Sequence, residues 1–75
     1  LLTKKEFSVL LMLATHGTRP VPREELYANV WNGPAEVGRN ALYTTVSRLN
    51  RKLEDAGTSL AVVFNGSEGY TLERI

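Results

Sequence analysis

The sequence predicts an α+β fold in which three helices precede a C-terminal β-hairpin. Apolar residues recur at helical spacing in three successive segments, and the last segment alternates like two strands around a glycine-rich turn, Asn65–Gly69. With 75 residues and 43% hydrophobic content, the chain suits one small globular domain, and we expect residues 1–75 to form it.

The first helix is predicted to begin at Thr3, because Thr3 and Glu6 have the spacing of a capping box. Gly17 can adopt the left-handed conformation that ends a helix. Four apolar residues lie between them at helical spacing and are expected to face the core: Phe7, Leu10, Leu11 and Ala14.

The second helix is predicted to follow Pro22, which suits a first turn because its missing N–H is not needed there. It should end at Asn32-Gly33-Pro34. Its apolar stripe comprises Leu26, Tyr27, Val30 and Trp31. No apolar stripe is left over once the cores of the helices are assigned, so we expect the isolated chain to be a monomer.

The third helix is predicted from about Gly38 to about Ala56 and has two contrasting faces. Its apolar face comprises Leu42, Val46, Leu49 and Leu53. Its opposite face is polar and basic, and comprises Asn40, Thr44, Ser47, Arg48 and Arg51, with Tyr43 at one margin. Strands are predicted at Leu60–Phe64 and from Tyr70 to Leu72. Three helices and a hairpin in this order predict a winged helix-turn-helix.

Charge is concentrated on the third helix. Residues 39–52 carry four basic side chains and no acidic one, whereas the rest of the chain carries five basic and eight acidic side chains. A local basic segment on a nearly neutral domain indicates a directed contact with an anion.

The side chains on the basic face suit a DNA major groove. Arginine can bind guanine with two hydrogen bonds, asparagine can do the same for adenine, and hydroxyl groups reach phosphates or base edges. The alternative is a solvated helix face without a ligand. The candidate DNA contacts on this helix are Arg39, Asn40, Tyr43, Thr44, Ser47, Arg48, Arg51 and Lys52; Asn65 is a candidate on the hairpin turn.

Other classes of function find little support. The chain has no cysteine and one histidine, His16, which we expect to be exposed near a helix end; we therefore expect no metal site and no cofactor. No residues form a catalytic set, so we expect no enzyme. No apolar run could span a membrane and no leader is evident, and Leu1 is not an initiator methionine. We expect a piece of a longer cytoplasmic protein.

Four segments resemble the effector domain of OmpR/PhoB-type response regulators, in the same order along essentially the whole chain. They are Leu2-Thr3 with Glu6-Phe7 and the leucine-rich run; Gly17, Arg23–Leu26 and Trp31; Val46–Leu53; and Gly69–Leu72. The resemblance implies a winged-helix output domain of a bacterial two-component regulator that binds direct-repeat double-stranded DNA, often as a head-to-tail homodimer. It also implies that the loop 32–37 touches RNA polymerase, that the Trp31 indole contacts phosphate, and that the Tyr70 hydroxyl reaches DNA. For both aromatic residues, packing is the alternative role.

The chain also departs from the family pattern. Asn40 and Asn50 stand where arginine is common, Tyr43-Thr44-Thr45 replaces an acidic residue, an apolar residue and a histidine, and the wing arginine is missing. Each lost cation should lower the salt slope of DNA binding by about one. The alternative function is a winged-helix module that docks a protein partner.

Overall fold

The computed structural model describes residues 1–33 and 40–75. Five elements follow one another: α1 (Lys4–His16); α2 (Arg23–Leu26), continued by a π-helical turn (Tyr27–Trp31); α3 (Ala41–Asp55); β1 (Leu60–Phe64); and β2 (Tyr70–Arg74). This order confirms the predicted α+β winged helix-turn-helix. The predicted start of the third helix near Gly38 lies outside the described residues, and the helix is described from Ala41.

Helix α1 begins and ends where the sequence predicts. The Thr3 hydroxyl accepts from the backbone N–H of Glu6 at 3.2 Å, and the Glu6 carboxylate accepts from the backbone N–H of Thr3 at 2.9 Å. This reciprocal pair satisfies backbone groups that the first helical turn leaves without partners. Gly17 ends the helix with a φ of +64°.

The face of α1 that enters the core differs from the prediction. Phe7 and Leu11 are about half exposed and Ala14 is exposed, so the prediction that they face the core was wrong; only Leu10 packs against it. The buried face is formed by Glu6, Val9 and Leu13. Because α1 is apolar around most of its circumference, spacing alone did not select a face. These exposed side chains also mean that an apolar stripe is left over on α1, which removes the basis for expecting a monomer.

Tyr27 joins the second helical segment to α3. Its side chain is buried, and its hydroxyl oxygen accepts from the backbone N–H of Leu42 at 3.2 Å. The side chain of Asn40, at the helix start, makes no capping hydrogen bond. Tyr27 therefore satisfies a first-turn N–H that would otherwise lack an intrahelical partner. The predicted stripe of this segment is confirmed: Leu26 and Tyr27 are buried, and Val30 and Trp31 pack against the core.

Helix α3 is the central element of the core. Its predicted stripe of Leu42, Val46, Leu49 and Leu53 is buried. On the flank towards α1, the ammonium of Lys52 donates to the Glu6 carboxylate at 2.7 Å and to the Leu1 carbonyl at 3.1 Å. Burial alone would raise the pKa of Glu6, but hydrogen bonds from Lys52 and from the Thr3 backbone outweigh it and hold the pKa below its ordinary value of 4.5.

The strands form an antiparallel hairpin whose register runs from Leu60 opposite Arg74 to Phe64 opposite Tyr70. The predicted first strand is confirmed, and the second extends beyond Leu72 to Arg74. Val21, in the connector between α1 and α2, pairs with Tyr70: the two backbone N–H···O bonds measure 2.8 and 3.0 Å. The connector thereby closes over the hairpin.

Gly69 allows this close approach. Its φ is +117°, and a Cβ at this position would lie 2.1 Å from the Val21 carbonyl oxygen. Both the conformation and the space therefore require glycine. Within the described residues, no helix is long and apolar enough to cross a membrane.

Replacement of Gly69 should test the junction between connector and hairpin. Gly69→Ala should lower the free energy of unfolding by about 2 kcal/mol or more, since strain at this φ alone costs about 1–3 kcal/mol and the added methyl meets the Val21 backbone. Urea denaturation measures the loss. Gly66→Ala is the control, because its φ is also positive, at +59°, but its Cβ would meet nothing within 4 Å. Equal losses in the two variants would contradict the close-approach argument.

The Lys52–Glu6 pair should make stability depend on pH. Because the pKa of folded Glu6 is lowered, its contribution is fully present above pH 4.5 and is lost as pH falls through the folded pKa. Glu6→Gln should cost about 1 kcal/mol at neutral pH, and less in acid. Denaturation at neutral and acidic pH measures both values. Glu54→Gln, an exposed control on α3, should keep the wild-type pH profile. A wild-type profile for Glu6→Gln would exclude this pair as its source.

Candidate nucleic-acid interface

The side of α3 opposite its buried stripe forms one continuous exposed face. At about 100° per residue, Arg51 lies about 180° from Leu42 around the helix. Ser47, Arg48 and Arg51 are exposed, and Thr44 is half-buried. Asn40 and Tyr43 are exposed at the N-terminal end. We call these residues the outer face: Asn40, Tyr43, Thr44, Ser47, Arg48 and Arg51.

The arginines of the outer face are available for a ligand. Within residues 1–33 and 40–75, the ion pairs are His16–Glu25, Arg23–Glu24 and Lys52–Glu6. Neither Arg48 nor Arg51 takes part in one, nor in a hydrogen bond from its guanidinium to a described residue. Acidic side chains on α3 occur only at its C-terminal end, at Glu54 and Asp55. The face is therefore cationic and able to bind an anion.

Lys52, a candidate from the basic segment, is placed elsewhere. Its ammonium lies against the Glu6 carboxylate at 2.7 Å, on the flank of α3 that faces α1. The structure therefore does not bring this charge to the outer face. A lysine on a helix flank can extend to either side, and a sequence gives no sign of the buried carboxylate that holds it.

Trp31 is half-buried and packs at the edge of the core. Its ring centroid lies 5.1 Å from that of Tyr27, and the ammonium of Lys5 lies 5.5 Å from the indole centroid. These contacts support a packing role for Trp31, which the sequence left open as the alternative to a phosphate contact. They also join the second helical segment to the start of α1.

Two candidates on the hairpin take part in its internal structure. The Asn65 amide donates to the Thr71 hydroxyl at 2.8 Å, and that hydroxyl donates to Glu73 at 2.8 Å. Tyr70 is 9% exposed. Burial raises the pKa of Tyr70, Tyr27 adds to the rise and Arg23 opposes it, so the hydroxyl remains protonated. Both residues hold the shape of the hairpin.

Asn50, which stands where the family commonly has arginine, joins α3 to β1. Its amide nitrogen donates to the Val62 carbonyl at 3.1 Å, and its amide oxygen accepts from the Val62 N–H at 2.7 Å. Both polar groups of one strand residue are thereby paired with one side chain. The spacing within a helix does not show which strand lies beside it, so this tie was not predicted from the sequence.

Phe64 was assigned to a strand by its sequence but not to a site. Its side chain is 63% exposed, and its ring centroid lies 5.2 Å from that of Tyr70. The signal available was its position as the last strand residue before the turn, where a large apolar side chain can extend past the core.

The prediction that His16 is exposed was wrong. His16 is half-buried rather than exposed: one ring nitrogen lies 2.8 Å from the Met12 carbonyl and the other 3.3 Å from the Glu25 carboxylate. In the described part of the chain, no three acidic or histidine side chains are grouped to hold a metal ion.

Arg39 and residues 34–37 of the predicted polymerase-contacting loop lie outside the described residues.

Comparison with known proteins agrees with this architecture. The family described as "Transcriptional regulatory protein, C terminal" matches residues 1–72. The transcriptional regulatory protein TctD of Salmonella typhimurium is 33% identical over 73 residues, covering 97% of this chain and 32% of TctD. The response regulator protein GraR of Staphylococcus haemolyticus is 33% identical over 69 residues, covering 92% of this chain and 31% of GraR.

The sensory transduction protein BceR of Bacillus subtilis is 33% identical over 69 residues, covering 92% of this chain and 30% of BceR. The chain thus spans about a third of the length of these curated relatives. The family match covers the helices, the whole outer face and the hairpin as far as Leu72. The chain therefore belongs to the family of transcriptional regulatory protein C-terminal domains, the winged-helix DNA-binding output domains of OmpR/PhoB-type response regulators.

Proposed function

We propose that this domain binds duplex DNA sequence-specifically by inserting α3 into the major groove with its outer face towards the base edges. The observation that carries the proposal is the exposure of Arg48 and Arg51, opposite the buried stripe and without an ion-pair partner among the described residues. A major groove admits an α-helix, and each base pair presents a distinct pattern of donors and acceptors there.

The side chains of the outer face divide between bases and phosphates. Arg48 and Arg51 donate to guanine or to phosphate, and Asn40 is positioned at the helix start to pair with adenine. The hydroxyls of Thr44 and Ser47 reach phosphates or base edges. Arg39 meets phosphate at the helix start, a role that rests on its sequence position alone.

Four further candidates from the sequence hold the interface in shape. Lys52 ties α3 to α1, and Trp31 packs the second helical segment against α1. Tyr70 and Asn65 make contacts within the hairpin that hold its shape. In this proposal they position the DNA-binding elements and make no required contact with DNA.

The wider biological setting follows from the family resemblance. TctD is a transcriptional regulatory protein and GraR a response regulator. We propose that residues 1–75 act as one output domain in a cytoplasmic two-component regulator, with a binding role and no catalytic one. Two copies would lie head to tail on a direct-repeat operator, and the loop 32–37 would face RNA polymerase.

Selection from a pool of random duplex DNA, followed by fluorescence anisotropy with a salt titration, tests the proposal. Enrichment of a repeated motif whose binding weakens steeply with salt is the expected result, because cations that neutralise phosphates release counterions. Absence of binding even at low salt would overturn it and would direct the search to a protein partner, whose docking through an apolar patch responds less to salt.

Arg48→Ala should weaken binding to the selected operator without unfolding the domain. Loss of one guanidinium contact should cost about 1–3 kcal/mol and lower the salt slope by about one. Arg74→Ala is the matched control, because it removes the same charge from an exposed position on β2. Thermal unfolding should be the same for both variants. An unchanged operator affinity for Arg48→Ala would remove this residue from the interface.

A further inference from the structure

A groove of about 440 Å³ separates α3 from the hairpin, along the margin of the outer face. One wall is the hairpin-facing flank of α3 and the other is the hairpin itself. Seven residues line it: Tyr43, Val46, Ser47, Asn50, Val62, Phe64 and Tyr70. None of them is acidic, so a polyanion can enter this groove without repulsion from its walls.

The floor of the groove offers few hydrogen-bonding groups that are not already paired. Both ends of the Asn50 amide are paired with the Val62 backbone. Val46 and Val62 are buried and apolar, and the ring of Tyr70 is packed against that of Phe64. A strongly polar group on this floor would lose hydrogen bonds to water without replacing them. The floor therefore favours an apolar group.

The rims of the groove are two exposed aromatic rings. Tyr43 in the first turn of α3 is 71% exposed, and Phe64 at the end of β1 is 63% exposed. A single exposed ring is ordinary on a protein surface. Here, two rings from different elements border one groove, which is continuous with the cationic outer face. Ser47, also exposed, follows Tyr43 by about one helical turn and adds a hydroxyl to the lining of the groove.

We propose that this groove receives deoxyribose groups of one DNA strand, with the rings of Tyr43 and Phe64 packed against their C–H faces and the phosphates directed away from the apolar floor. The inference rests on the proposed DNA-binding function. With α3 in the major groove, the backbones of the two strands flank the helix, and one of them lies on its hairpin side. The Ser47 hydroxyl then donates to a phosphate of that strand.

Such contacts compensate for the arginines that this chain lacks. Burial of aromatic surface against sugar stabilises the complex through apolar area rather than through charge. The contribution is therefore independent of base sequence and of counterion release, in contrast to that of an arginine–phosphate contact. Loss of the apolar rim should therefore lower affinity without changing the dependence of binding on salt.

The experiment measures binding of the chain to the selected operator and to a mixed-sequence duplex by anisotropy, each over a salt titration. Tyr43→Ser and Phe64→Ser should each bind about fivefold more weakly through lost apolar burial. The loss should be equal on both duplexes, and the salt slope should stay unchanged because no charge is removed. Tyr43→Phe keeps the ring and should bind like the wild type.

Phe7→Ser is the matched control, since Phe7 is 53% exposed but lies on α1, which does not line the groove. It should bind like the wild type. If Phe64→Ser fails to fold by circular dichroism, Tyr43→Ser and Tyr43→Phe decide the outcome, because the Tyr43 side chain makes no hydrogen bond to a described residue.

The outcomes separate this inference from the function on which it rests. Unchanged affinity in both serine variants, with a wild type that binds DNA, overturns the apolar rim and leaves DNA binding intact. A loss confined to the operator also overturns it, because a sugar contact does not distinguish sequences. A wild type that binds neither duplex overturns the proposed function and this inference together.

Discussion

The rotation of α3 about its own axis determines which side chains reach a ligand. Its buried stripe defines one side of the helix, but apolar packing alone does not fix the rotation of the helix, because hydrophobic burial is non-directional. Directional hydrogen bonds at the two flanks of α3 fix its rotation. Lys52 binds Glu6 on the α1 side, and Asn50 binds Val62 on the hairpin side. The outer face is the part of the helix that these two ties leave free.

A third tie fixes the position of α3 along its axis. The Tyr27 hydroxyl accepts from the Leu42 N–H, so the start of α3 is held by a buried side chain of the preceding helical segment. A hydrogen bond of this kind contributes about 1 kcal/mol net, but leaving the buried donor unpaired costs more. The interface thus depends on residues that do not belong to it, and a substitution at any of the three ties would disturb binding indirectly.

The sequence predicts this fold well where a segment has one apolar face. Helix α3 has such a face, and its buried stripe follows from spacing alone. Helix α1 is apolar nearly all round, and Phe7 was assigned to the core although Glu6 lies on the buried side. The buried carboxylate is stabilised by a lysine 46 positions away, a partner that helical periodicity does not reveal. Local patterns therefore predicted the elements, while tertiary partners selected the faces.

The same limit applies to the candidate site. Asn50 and Lys52 lie on the basic helix beside true members of the outer face, and their residue types suit DNA as well as the neighbouring protein elements. Their tertiary partners decide between these roles, because an amide or ammonium that is already paired is not available to a ligand. Residue type and helical spacing were sufficient to predict that Arg48 and Arg51 lie exposed on the side opposite the buried stripe.

The small number of free cations affects affinity and specificity differently. Contacts to phosphate strengthen binding to every sequence alike, so their loss lowers overall affinity without lowering the ratio between operator and other DNA. In the proposed binding mode, discrimination depends on the base-edge donors of the outer face, namely Arg48, Arg51 and Asn40. Two such domains joined on a direct repeat would regain affinity through effective concentration rather than through additional charge. A nearly neutral winged helix can therefore remain selective, and pairing would restore the affinity that the missing phosphate contacts cost.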